Sequence, residues 1–307
     1  MLWLLIAVSA YFLFALAALG DKVLLTGPLQ NPRVYAVFVG VGGLLPIIAT
    51  PVLGFPVPSV EALFLALASG FFYIAALLPF YAGIRRYEVS RIVPATGGLV
   101  PLIMFVLGLF ILPDGITIPG VVLLAFALLI IGSIFLSLRH GERFSLGSLG
   151  YSFSASLLFG ISFLLLKYAY LLQPFWSGFL WTQIGAGIAG ILLLTSDTVR
   201  AEVRERLRRK PGSGRTALLF FGTQASAAIA GILQHVALFL VPAAYFAFVN
   251  ALQGTQYLFL LLMAAVLSAR YPNIFREENT GRALRNKIIG TLLIIVGVAV
   301  LVVLGPK

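Results

Sequence analysis

The sequence predicts an all-α integral membrane protein with ten transmembrane helices in two inverted-topology five-helix repeats. Three observations carry this. Of 307 residues, 61% are hydrophobic and 10% are charged, where a soluble domain averages about 25% charged. Apolar runs of the roughly 20 residues needed to cross a hydrocarbon core follow one another almost end to end. The basic residues are confined to alternate loops between those runs. The runs are too long for the strands of a membrane barrel and lack their alternation.

Taken in order, the first span covers about 2–20. Its apolar stretch is too long for a secretory leader, and its positive charge follows the span instead of preceding it. Lys22 and Arg33 separate it from the second, at about 34–54, which holds Pro46 and Pro51. The third, about 60–84 with Pro79, ends at Arg85 and Arg86; Arg91 then precedes the fourth, about 92–112, with Pro94 and Pro101. Such prolines kink or interrupt a helix, which is tolerated in membranes beside protein or a cavity. The fifth, about 118–138, runs into Arg139 and Arg143. The sixth and seventh fall at about 148–172 and 175–195. The next segment, 196–215, contains RAEVRERLRRKPGSGR and reads as a short amphipathic helix and linker. The eighth span (about 216–240) is divided from the ninth (about 243–268) by Pro242, and the tenth follows at about 288–304.

Numbering the loops one to nine, the odd ones hold 19 of the 21 Lys and Arg and the even ones hold none. That is the positive-inside pattern. It places the odd loops in the cytoplasm and both termini outside, in a multi-pass protein of the cell membrane. The net charge of +11 therefore reads as topology, not as a nucleic-acid surface. Anionic headgroups at the basic loops are a second reading of the same charge, beside plain solvation. With no cysteine, a thiolate metal site or cysteine nucleophile is excluded, and no metal or cofactor is expected. GAGIAG (185–190) satisfies a dinucleotide-binding spacing, but that fingerprint needs a preceding strand. Inside an apolar helix the glycines read as a close-packing surface.

An internal repeat is visible. SAYFLFALAALGDK (9–22) matches SASLLFGISFLLLK (154–167) at six of fourteen positions, from Ser9/Ser154 to Lys22/Lys167. AFALLIIG (125–132) matches GTLLIIVG (290–297), with Gly132 on Gly297. The chain divides into halves at about 1–144 and 145–307. An odd number of helices per half makes the two enter the membrane from opposite sides. Inverted repeats of this kind are characteristic of secondary transporters, whose substrate sites lie near the midplane.

YEVSRIVPATGGLVPLIMFVLGLFIL (87–112), the glycines ending the fifth and tenth spans, and the lysines of GDK and LLLK carry a family resemblance. The chain resembles the EamA-type ten-helix members of the drug/metabolite transporter superfamily over essentially its whole length. It departs from them where PDGIT and SARYPNIFREENTGRALRNK stand in place of the Gly-Glu that usually follows helices four and nine. The resemblance implies a fold of two EamA-like repeats and transmembrane transport. Among sugar-phosphate relatives it also implies a pair of cations, here Lys22 and Lys167, that attract an anionic group. The alternative for both lysines is snorkelling to a membrane surface.

The polar residues of the spans supply the remaining candidates. At 100° per residue, Phe246, Asn250, Gln253 and Tyr257 share a stripe of the ninth span, with Gln256 to its side. An unpaired amide in hydrocarbon costs several kcal/mol, so these amides either glue helices together or line a cavity. In the eighth span Gln224, Gly231 and His235 share a face. His235 is either a proton carrier, since imidazole titrates near physiological pH, or a neutral hydrogen-bonded group. Tyr151, Ser154, Leu158 and Ser162 share a face of the sixth span, as a cavity wall or as packing.

No carboxylate sits at the centre of a span, which argues against carboxylate-based proton antiport and cationic drugs. The expected function is a facilitator, exchanger or exporter of small polar metabolites, neutral, zwitterionic or weakly anionic, working by alternating access. A lipid-linked-sugar flippase of the same fold is the alternative. An intramembrane enzyme lacks a nucleophile–base pair or ligand cluster, and a scaffold has no need of an inverted repeat.

Overall fold

A computed structural model describes residues 2–24, 31–86, 89–111, 119–137, 146–208, 214–270 and 281–304. All regular structure among them is helical. Among the described residues, five helical segments are long and apolar enough to cross a membrane: Pro32–Leu53, Val60–Gly83, Gly147–Leu172, Phe175–Leu193 and Gly222–Leu240. Shorter apolar helices lie at Leu2–Ala17, Ala95–Leu109, Gly120–Gly132 and Ile288–Val300. The protein is thus a membrane-type helical protein.

The chain forms two compact units, each drawing on both halves of the sequence. The first comprises Met1–Pro28, Leu112–Ser145 and Gly212–Lys307, and the second Leu29–Ile111 and Leu146–Pro211.

In the first unit, α1 (Leu2–Leu24) packs on α10 (Gly214–Leu240) and α12 (Gln253–Arg270), while α6 (Gly120–Ser137) packs on α13 (Gly281–Leu304). Small residues set the α6–α13 approach. A side chain at Gly132 would meet the Gly290 carbonyl at 2.9 Å, and one at Gly297 would meet the Ala125 carbonyl at 3.1 Å. The two glycines matched in the sequence repeat therefore serve one helix contact from opposite sides.

The expected ninth span is not one helix. Val241 and Pro242 end α10, since Pro242 supplies no amide to continue a ladder. A 3-10 turn at Ala243–Tyr245 leads into the short α11 (Phe246–Ala251), and Leu252 separates that from α12. The second span is interrupted likewise. Helix α2 (Pro32–Gly42) gives way to a 3-10 turn at Leu45–Ala49 and the single turn α3 (Thr50–Leu53), with Pro46 and Pro51 in these turns. Gly54, at φ 80°, then turns the chain where a side chain would be strained.

In the second unit, α4 (Val60–Arg86) packs on α7 (Leu146–Leu172) and α8 (Phe175–Leu193), and α5 (Val89–Ile111) on α7. Ser69 and Ser162 clasp α4 to α7 reciprocally, each hydroxyl donating to the other residue's carbonyl at 2.9 Å. The GAGIAG glycines do close-pack. Gly185 lies against Leu67 and Gly70 against Thr182 across the α4–α8 crossing, while Gly40 on α2 faces Gly190. Two indoles hold the 54–59 connection, with Trp176 Nε1 donating to the Gly54 carbonyl at 3.0 Å and Trp181 Nε1 to the Pro56 carbonyl at 2.9 Å. The amphipathic segment is α9 (Asp197–Arg208). Its Val199 is buried against Val34 and Val37 of α2, and Asn31 Nδ2 donates to Glu202 at 2.6 Å.

Candidate functional site

A chain of buried polar contacts crosses the first unit where α11 breaks from α12. The last carbonyls of a helix lack intrahelical partners, and Val249 stands in the last turn of α11. Its carbonyl accepts the Tyr11 hydroxyl of α1 at 2.9 Å. Gln234 of α10 bridges the next step. Its Nε2 donates to the Tyr11 hydroxyl and to Asn250 Oδ1, each at 3.3 Å, the long end of such bonds. Tyr11 and Asn250 are 2% and 3% exposed, whereas Gln234 is half-buried. Tyr257 is near enough to Tyr11 to interact with it electrostatically. Aromatic pairs join the same helices, with Phe126 of α6 against Phe248 of α11 at 4.8 Å and Phe12 of α1 against Phe259 of α12 at 5.3 Å.

Of the expected residues, Asn250 and Tyr257 join this cluster and His235 is half-buried on α10 beside Gln234. Leu252 interrupts the helix between Asn250 and Gln253, yet Asn250 and Tyr257, seven residues apart on the expected stripe, both reach the cluster. Gln253 and Gln256 open α12, three residues apart and hence neighbours on one face. Both are half-buried, Gln224 on α10 is exposed, and none of the three hydrogen-bonds to a described residue. The Gln234 side-chain oxygen likewise accepts from no described residue.

The other candidates lie in the second unit or outside the described part. Tyr151 of α7 is half-buried and packs where Gly83 has no side chain, 3.0 Å from where a Cβ would stand. Ser154 is exposed and turns back onto its own helix, donating to the Gly150 carbonyl at 2.8 Å. That arrangement satisfies the hydroxyl locally. Ser162, on the same expected face, belongs to the clasp with Ser69. Lys167 is 3% exposed, so its ammonium does not reach out along a surface. Lys22 stands in α1, but its side chain lies outside the described residues.

Two participants escape a reading of the sequence. Gln234 sits one residue, about 100°, away from the face of Gln224, Gly231 and His235. Tyr11 looks like a packing aromatic. The available signal was a phenol well inside an apolar run, because a buried tyrosine hydroxyl usually needs a partner.

No family model matches the chain, and no curated protein matches it. Twenty-two solved chains match it in structure. One, described only as "Crystal structure of protein", is similar over 99% of this chain and 97% of its own, with a TM-score of 0.67 and 14% sequence identity. At that identity the likeness is one of fold: the whole helical arrangement recurs in a solved protein.

Proposed function

We propose that the chain is a secondary transporter for small polar metabolites, built as two inverted five-helix repeats with ten spans. In this reading the odd loops face the cytoplasm and both termini lie outside a cell membrane. The observation that carries it is a set of amides without partners among the described residues. Gln224, Gln253 and Gln256 stand in apolar helices yet hydrogen-bond to no described residue. An amide facing lipid costs several kcal/mol, so water or a ligand must meet these groups. The break between α11 and α12 supports the same reading, since discontinuous helices recur at transporter binding sites. The resemblance to EamA-type transporters and the reciprocal Gly132 and Gly297 contacts favour the inverted repeat. The lack of a carboxylate at the centre of any span favours facilitation or exchange over proton coupling.

Reconstitution into proteoliposomes tests the proposal. A ligand that stabilises the purified protein in a metabolite screen, acting by mass action on the folded state, should show saturable counterflow without an imposed pH gradient. Uphill uptake driven by a pH gradient and abolished by His235→Ala would overturn the uncoupled reading. Movement of a fluorescent lipid-linked sugar, with no metabolite exchange, would favour the flippase.

A further inference from the structure

We infer that the ligand meets the first unit's polar cluster with an uncharged edge carrying a donor beside an acceptor, a carboxamide or lactam, and not with a carboxylate, phosphate or ammonium. This rests on the transport reading above and narrows its substrate class.

The inference starts from the side chains. Gln234, Asn250, Gln253 and Gln256 are all primary amides, and each offers two N–H donors and a carbonyl acceptor. Asn250 is committed to Gln234 through its oxygen. The Gln234 oxygen and the amides of Gln253 and Gln256 hydrogen-bond to no described residue. Gln234 offers only its oxygen, since both of its N–H groups are donated to Tyr11 and Asn250, whereas Gln253 and Gln256 each present a donor and an acceptor side by side. Exchanging N and O in Gln253 or Gln256 leaves that pairing intact.

A carboxamide or lactam edge satisfies both partners at once. An ionised carboxylate only accepts, and it strands the carbonyl oxygens. An ammonium only donates, and it strands the N–H groups. A buried charge also needs a counterion. Among the described residues no Lys, Arg, Asp or Glu bonds to Gln234, Gln253 or Gln256.

Isosteric probe pairs test this on the purified full chain: nicotinamide against nicotinate, and succinamide against succinate, at neutral pH. The amides should raise the melting temperature, and each carboxylate should bind at least about tenfold more weakly, in line with the rejection of ligands that leave a polar site unpaired. Gln256→Glu, at a half-buried position with no described partner, keeps the shape and removes the paired donor and acceptor, so amide affinity should fall at least about tenfold. Gln253→Glu, also half-buried and with no described partner, serves if the first variant does not fold. Carboxylates that bind as well as their amides, or amide binding unchanged in the variant, would overturn the inference. So would a folded protein that exchanges some other metabolite while binding neither amide, and transport itself would then stand. A folded protein that exchanges nothing would instead sink the transport reading.

Discussion

Gly70→Val and Gly185→Val should each prevent the protein from being recovered as a folded species, or lower its melting temperature more than Tyr11→Phe or Asn250→Ala does. A Cβ at Gly70 would run into the Thr182 carbonyl and the Ala186 amide, and one at Gly185 into the Leu67 backbone. These obstacles are backbone atoms of the facing helix, so no rotamer change relieves the clash and the helices must separate. Overpacking a close contact costs about 1–3 kcal/mol where side chains can give way, and these crossings offer less relief. In membranes, close packing also carries much of helix association, because lipid is as apolar as the helix surface. Gly222→Val is the control, with nothing within 4 Å of its added Cβ, and should melt like the parent. Equal melting of all three proteins in detergent would show that the α4–α8 crossing is not held by its glycines.

The second large effect separates two kinds of polar group. Tyr11→Phe and Asn250→Ala remove buried groups that are hydrogen-bonded. Tyr11→Phe leaves the Val249 carbonyl without its partner, and each change should cost about 1–3 kcal/mol of stability. Gln253→Leu should behave oppositely. Its amide hydrogen-bonds to no described residue, so the change breaks no bond to a described residue and the variant should be as stable as the parent or more so. Substrate affinity should nevertheless fall roughly 5- to 150-fold, the equivalent of one unsatisfied partner at about 1–3 kcal/mol. Thermal melting and counterflow, read on the same preparations, check both halves. A destabilised Gln253→Leu that transports normally would make this residue structural glue.

The sequence makes the helices legible because hydrocarbon demands long apolar runs, and composition registers that demand directly. The run expected at about 175–195 is a helix over Phe175–Leu193, and that at about 60–84 is one over Val60–Arg86. Interruptions are harder to read. Hydropathy does not change at Leu252, so the interruption there could not be read from the sequence, although Asn250 and Tyr257 of the expected stripe both reach the cluster. Pro46 and Pro51 did warn of one in the second span. At the candidate site, Asn250 was legible as an expensive group in an apolar run. Gln234 was not, because its role depends on Tyr11, which is 223 positions away in the chain. Ser154 shows why its two readings stayed open. A small hydroxyl in a span can be satisfied by its own helix, and periodicity does not distinguish that from facing a cavity.

The central claim is that the amides opening α12 face water or a ligand inside a membrane protein. Because the sequence contains no cysteine, a single introduced thiol reports its own surroundings without background. Thiol reagents attack the thiolate, which forms readily in water and poorly in apolar surroundings. A charged, water-soluble methanethiosulfonate should modify Gln253→Cys and Gln256→Cys in proteoliposomes, and bound ligand should slow the reaction. It should leave Leu262→Cys, at an exposed apolar position of the same helix, unmodified. Protection of all three positions, or labelling of Leu262→Cys as fast as the other two, would contradict the claim.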